Sequence, residues 1–262
     1  MGRITYYIKI WLMMSKNAFL IWFAQTKLLT LFLLGKILRF VFFITFLIFL
    51  LKGADKLAGY DANQAIFFFL TFNVIDVLSQ FLFREVYRFR PQIVSGDFDL
   101  TLAKPMSPLF KSLMGGVDVI DLVIIPPLLI AVFYVGSMLN PNFLHLISYI
   151  LLLFNGLLIA AAFHIIVLSL GIITLEIDHT IMIYRDLTNL GRLPVDIYKE
   201  PLKSILTYFV PIGIMISLPA KALMGIVSLP GVLWSLGFGA IALFLSIKFW
   251  NFALTKYTSA SS

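Results

Sequence analysis

The sequence predicts an all-α integral membrane protein with six transmembrane helices. Three observations carry that expectation. Of 262 residues, 61% are hydrophobic and 15% aromatic, while only 13% are charged, well under the quarter or so typical of soluble domains. Apolar runs long enough to cross a hydrocarbon core recur along the chain. Lys and Arg gather in alternate connecting segments, the asymmetry that orients spans in a bilayer. So few polar groups could not cover a soluble globule. No stretch is both polar and long enough for a second domain, so residues 1–262 read as one membrane domain.

Residues 4–23 place Ile4, Tyr7, Ile8, Trp11, Leu12, Phe19, Trp22 and Phe23 at intervals of three and four, with Lys9, Lys16 and Asn17 mostly between them. That pattern predicts an amphipathic helix lying in the membrane interface. It does not read as a secretory leader, since basic residues are scattered through it and no small-residue cleavage site follows a compact apolar core. The first span is 33–51, with Lys36 and Arg39 near its start, where long cationic side chains snorkel to headgroups. A polar turn (52–61) leads to a second span, 62–83, which carries Asn73 and Asp76. A polar loop, 84–111, precedes a third span, 112–135, whose Pro126 and Pro127 remove two backbone donors and predict a kink. After the turn 136–142 comes a long apolar run, 143–175.

Residues 176–204 are too polar for an ordinary span and too apolar for an ordinary loop. Hydropathy alone makes 205–224 the fifth crossing, although Pro211 and Pro219 argue for a broken element sheltered by other helices. The last span is 229–250. Lys and Arg are dense in the N-terminal arm and in 84–111, absent from 136–142, and offset by aspartates in 52–61. The N-terminus, the 84–111 loop and the C-terminus are therefore expected on the cytoplasmic side of a cell membrane.

Cysteine is absent, which excludes disulfides, thiolate metal sites and Cys nucleophiles. The net charge of +7 flanks apolar runs, so it points to anionic lipid headgroups and not to nucleic acid. The sequence holds no G-x-x-x-x-G-K-[ST], no H-E-x-x-H and no G-x-S-x-G, so nucleotide hydrolysis, zinc proteolysis and serine-hydrolase chemistry lack their residues. Intramembrane polar groups are the remaining candidates. Asp118 and Asp121 share a helix face, with Asp76 on the preceding span. They read either as a polar or ionic path or as carboxylates favoured near a helix N-terminus. Asn73, Asp76 and Asn155 also suit helix–helix hydrogen bonding, and His164 suits a packing role.

The 84–111 loop carries Arg88, Arg90, Lys104, Asp97, Asp99, a glycine and three prolines. It reads either as a solvated loop or as a docking element, with Phe89, Ile93, Val94 and Phe98 as apolar anchors among charges.

The run Ile93 to Pro108, I-V-x-G-D-F-D-x-x-L-x-K-P-x-S-P, resembles the cytoplasmic loop of ABC-2 type transporter permeases. Leu193-Pro194-Val195-Asp196-Ile197-Tyr198 with Pro211 and Leu218-Pro219-Ala220 is similar to a second family region, and Tyr257-Thr258-Ser259-Ala260-Ser261 to its closing motif. The resemblance covers most of the chain in order. It implies a connecting helix at 4–27, a fourth span at 143–175, a short fifth span at 179–193 and an outer re-entrant segment at 194–224. Arg185 and Asp186 would then lie inside the fifth span, tolerable only if paired with each other or facing a dimer interior, and they join Asp76, Asp118 and Asp121 as candidates for an intramembrane polar path. The loop would hold a coupling helix, with Arg84, Glu85, Arg88 and Arg90 as docking charges and Gly96, Asp97, Asp99, Lys104 and Pro105 shaping it.

The resemblance further implies an exporter permease, not itself an enzyme, with no cofactor of its own. ATP and Mg would be bound by a cytoplasmic ABC ATPase present in two copies, and a second permease, identical or paralogous, would complete the path. Membrane lipids are the other partners expected, and nucleic acid is not. The cargo would be amphipathic or hydrophobic, because the helices offer few polar groups. A secondary transporter or channel, and a membrane-embedded lipid-modifying enzyme, are the alternative classes. The first often shows matched broken helices in two halves, whereas the broken region here occurs once. The second lacks clustered metal-ligand aspartates.

Overall fold

The computed structural model describes residues 2–53, 56–175 and 177–258, and almost all of them are helical. Asp55, Glu176 and the closing Ser259, Ala260 and Ser261 lie outside the described residues.

Helix α1 (Arg3–Phe23) buries only Ser15 and Ala18 and leaves apolar side chains such as Ile4, Leu12 and Phe23 exposed. Its buried spot faces Gly116, where a Cβ would come within 3.0 Å of the Met14 carbonyl and of Ala18. After a turn, α2 (Thr26–Gly53) is apolar all round, and of its side chains only Leu47 is fully buried. A helix of that kind is a membrane element, not a soluble amphipathic one.

Asp61 starts α3 (Ala62–Phe83) with a capping box: its carboxylate accepts from the Gln64 N–H at 2.9 Å and its own N–H donates to the Gln64 side chain at 3.0 Å. α3 is enclosed on nearly every side. A tighter turn at Arg84–Arg88 carries the chain on into α4 (Phe89–Val94). Gly96, at φ 80°, then reverses it into α5 (Asp97–Leu102). That left-handed conformation suits a residue without a Cβ. Ser107 and Pro108 start α6 (Pro108–Met114).

Asp118 caps α7 (Val119–Met138) by accepting from the Ile120 N–H at 2.9 Å. Pro126 and Pro127 sit inside α7, which continues across them. Asn142 caps α8 (Phe143–Thr174), and Leu175 ends it in the left-handed region at φ 60°.

Among the described residues, five helical runs are long and apolar enough to cross a membrane: α2, the continuous stretch Ala62–Val94, α7, α8 and α12 (Leu229–Leu254). α9 (Ile177–Asn189) has 13 residues, about 20 Å at 1.5 Å per residue, short of a hydrocarbon core of about 30 Å. In place of the straight crossing that hydropathy alone assigns to 205–224, α10 (Leu202–Phe209) and α11 (Gly213–Leu223) form a pair bent by 75° around Pro211. The pair supplies a sixth crossing only if it counts as one broken span. Its widened turns, such as the Val210 N–H donating to the Ile205 carbonyl five residues back at 2.9 Å, accommodate the break.

α8 and α3 form the centre, with α11 and α12 laid along α8. The α8–α12 seam is close at Gly239: a Cβ there would lie 2.0 Å from the Asn155 side-chain oxygen. Asn155 donates across the seam to the Ser235 carbonyl at 2.9 Å and to its hydroxyl at 3.0 Å. Small residues allow that approach, and the amide joins the two helices where lipid offers no competing water.

Candidate functional site

Two places collect the polar groups singled out in the sequence: the α4–α5 hairpin and a charged groove among α2, α3 and α7.

The hairpin is not a loose loop. Phe89, Ile93 and Phe98 point into the chain's own core with Ile172, Ile177, Trp250 and Ala253. Phe98 meets Phe89 edge to face at 5.0 Å and Tyr257 at 5.1 Å between ring centres. The sequence expectation of four apolar anchors for a partner is therefore corrected. Three of the four are used inside the chain, and Val94, 63% exposed, remains on the outer side with Leu100, also 63% exposed. The cause is helical geometry. α4 and α5 are amphipathic over a single turn, so one face seats on the ends of α8, α9 and α12 while the other faces away.

The predicted docking charges divide in the same way. Arg84 turns inward to Asp118 at 3.3 Å and packs over the Tyr87 ring at 5.1 Å. Glu85 accepts from the Gln92 side chain at 2.8 Å and faces Arg88 at 3.8 Å. Arg88 and Arg90 stay exposed, and Arg90 pairs with Asp178 at the start of α9 at 3.1 Å. Asp97 is exposed and accepts from the Ser95 hydroxyl at 2.8 Å, while Asp99 is half-buried beside Phe98. Lys104 and Pro105 are exposed, and the Pro105 carbonyl receives the Tyr6 hydroxyl of α1 at 3.4 Å. The Tyr7 hydroxyl accepts from the Ser107 N–H at 3.0 Å, and its ring packs on Phe110 at 4.7 Å. Lys111 donates to the Thr101 hydroxyl at 2.6 Å, tying α6 to α5. Burial, then the neighbouring Lys104, lowers the pKa of that ammonium.

Asp76, Asp118 and Asp121 are all engaged. Lys36 of α2 forms a hydrogen-bonded ion pair with the fully buried Asp121. Asp76 accepts from Gln80 at 2.9 Å and faces Arg39 at 3.9 Å. Lys36 and Arg39, expected to reach for headgroups, instead turn to carboxylates of neighbouring helices, because an unpaired buried carboxylate costs more than a bent lysine chain. Arg185 and Asp186 do not pair with each other among the described ion pairs. The Arg185 guanidinium lies over the Tyr87 ring at 5.8 Å, and Asp186 is exposed. Asp76 thus shares one groove with Lys36 and Arg39, while Asp118 closes on Arg84, Arg185 meets the same Tyr87 ring as Arg84, and Asp186 is exposed.

The groove has a volume of about 370 Å³ and a lining of Lys36, Arg39, Asp76 and Arg192 set among phenylalanines. Arg192, just beyond α9, places its guanidinium over the Phe43 and Phe72 rings at 5.9 and 5.8 Å. It was not among the sequence candidates. Nothing local marks it, since its partners lie on α2 and α3.

A further polar knot was also missed. Asp196 receives Lys221 at 2.6 Å, Lys203 at 2.9 Å and the Tyr60 hydroxyl at 3.0 Å, joining the turn before α3 to the bent pair. Burial pushes this carboxyl up, but the three donors outweigh it and hold it down to about 2. Burial and Asp196 together hold the Tyr60 hydroxyl above its ordinary value. His164 is enclosed by Phe83 and Tyr184 at 5.2 and 4.8 Å, with Nδ1 on the Ala160 carbonyl at 2.8 Å.

The family model described as ABC-2 family transporter protein matches residues 36–261. The match takes in the hairpin, the charged residues of the groove and the Asp196 knot, and leaves α1 and the start of α2 outside. No curated protein and no solved structure matches the chain.

Proposed function

We propose, from the premise that this chain belongs to the ABC-2 family of transporter proteins, that a separate ABC ATPase drives it by gripping the α4–α5 hairpin. As a member of that family it is a multi-pass transmembrane permease. In the proposed assembly two copies of the ATPase bind ATP and Mg on the cytoplasmic side. A second permease, identical or paralogous, completes an export path for an amphipathic or hydrophobic cargo across the cell membrane. The N- and C-termini are cytoplasmic in this arrangement.

The single observation that carries the proposal is the seating of the hairpin. Phe89, Ile93 and Phe98 bed it on α8, α9 and α12 while Val94, Leu100, Arg88 and Arg90 stay outside. A push from outside is delivered to three helices at once, since a close-packed contact transmits displacement instead of absorbing it. α1, tied to Pro105 and Ser107, moves with the same hairpin. Nucleotide or cargo then drives transport only by binding the inward- and outward-open states unequally.

The absence of cysteine makes the test clean. Lys104→Cys is expected to react with a membrane-impermeant maleimide only in inverted vesicles, and Lys56→Cys only in intact cells. Labelling of Lys104→Cys from outside the cell removes the hairpin from any cytoplasmic ATPase and ends the proposal. With orientation established, an ABC ATPase from the same cells is expected to co-purify with the wild type and to be lost from Val94→Asp/Leu100→Asp.

A further inference from the structure

The groove among α2, α3 and α7 carries an unbalanced charge. Its cations are Lys36, Arg39 and Arg192, and the carboxylates in or behind it are Asp76 and Asp121. Lys36 is committed to Asp121. Asp76 is held by Gln80 and stands 3.9 Å from Arg39, the outer limit of an ion pair. Among the described residues no carboxylate forms an ion pair with Arg192: its half-buried guanidinium lies over the two ring faces, drawn by Asp76 and repelled by Arg39 and Arg185. One positive charge is left over in a wall of phenylalanine and aliphatic side chains. An uncompensated cation among apolar groups is costly and calls for an anion.

The shape of the lining says what kind of anion. A guanidinium lying over ring faces keeps its N–H edge free, and that edge suits bidentate binding of phosphate, sulfonate or carboxylate. Phe40, Phe43 and Phe69, with Leu33 and Ile37, continue the groove as an apolar wall. Its volume of about 370 Å³ lies within the range of small-molecule sites.

We propose that this groove binds an anionic amphipath, with its headgroup between Arg39 and Arg192 and its tail along the phenylalanines of α2 and α3. As a binding site the groove stands on its own residues; as the cargo class of a transporter it rests on the function proposed above. The same chemistry belongs to a resident anionic lipid and to an anionic cargo.

Binding is measured on the purified chain in a neutral maltoside detergent, with no ATPase present, by native mass spectrometry. The probes are dodecyl phosphate, dodecylphosphocholine and inorganic phosphate. Dodecyl phosphate is expected to bind about tenfold or more tighter than either of the others, the factor one charge-assisted contact supplies. Arg192→Gln is expected to weaken it by a similar factor of roughly ten, and Arg192→Lys by less. Equal binding of the zwitterion overturns the anion requirement, and equal binding of inorganic phosphate overturns the amphipath. Unchanged affinity in both Arg39→Gln and Arg192→Gln overturns the placement. The probe comparison is made on the wild type, so it holds whether or not a variant folds.

Two further readouts separate the sources. Phosphatidylglycerol that co-purifies with the wild type and is lost from Arg192→Gln marks a resident lipid. Stimulation of ATP hydrolysis by dodecyl phosphate in the assembled complex marks cargo. Either result upholds the site. Loss of ATPase association would sink the transporter assembly without touching the binding result, and the reverse holds equally.

Discussion

Phe98 of the hairpin meets Trp250 of the last helix edge to face, 6.3 Å between ring centres, and both are fully buried. A residue of the surface hairpin is thus a core residue of the membrane domain.

Phe98→Ala should behave as a core truncation, costing about 3 kcal/mol or more. The expected signs are a lower melting temperature in detergent and faster protease cleavage between α4 and α6. Arg88→Glu/Arg90→Glu should differ in kind. Their partners, Glu85 and Asp178, are at or near the surface, where an exposed pair is worth under about 1 kcal/mol. That double variant should melt near the wild type yet release the ATPase. If it melts normally and still holds the ATPase, the two arginines are not part of the grip.

Lys36→Ala should be worse than removing both partners. It strands Asp121 as a fully buried carboxylate, at a cost of about 3 to 5 kcal/mol. Lys36→Met/Asp121→Leu removes both charges and should recover most of the loss. Melting temperatures of the three proteins decide this; a double variant no more stable than Lys36→Ala would contradict the pairing.

Gly239→Ala should separate α8 from α12, because the new methyl falls on the Asn155 side chain. The expected loss is about 1 to 3 kcal/mol. Asn155→Ala loses the hydrogen bonds to Ser235 instead. Combined, the two changes should cost less than their sum, since the second removes the group that the first collides with. Strict additivity of the melting shifts would count against this contact.

Asp196 should make stability fall in acid. Its carboxyl is held down to about 2 in the folded chain against an ordinary 3.8. The stabilisation is therefore present above the ordinary value and is lost as pH falls from about 4 through about 2. Asp196→Asn should lower the melting temperature at neutral pH and flatten this acid-dependent part. A wild type and variant with parallel melting curves from about pH 5 to about pH 2 would rule out the linkage.

Much of this protein was legible in the sequence. The all-helical membrane fold follows from runs such as 33–51 and 143–175, whose solvent preference is a property of each segment alone. The loop motif around Gly96 and Lys104-Pro105 marked the family, and the match over 36–261 agrees with it. Pro211 marked a break, and the chain bends there by 75°.

What remained hidden was pairing. Lys36 and Asp121 lie 85 positions apart, Tyr60 and Asp196 136 apart. Each looked local from the sequence: a snorkelling lysine, a helix-end carboxylate, a turn tyrosine. Likewise nothing in 89–98 says which apolar side chains turn inward, since that depends on where α8, α9 and α12 end beneath them. The sequence by itself determined which long segments are apolar enough to enter a membrane, because transfer into lipid is additive over the residues of a segment. Only the tertiary structure decided which charges neutralise one another and which face of the hairpin is left outside, because those energies exist between segments and vanish when either is considered alone.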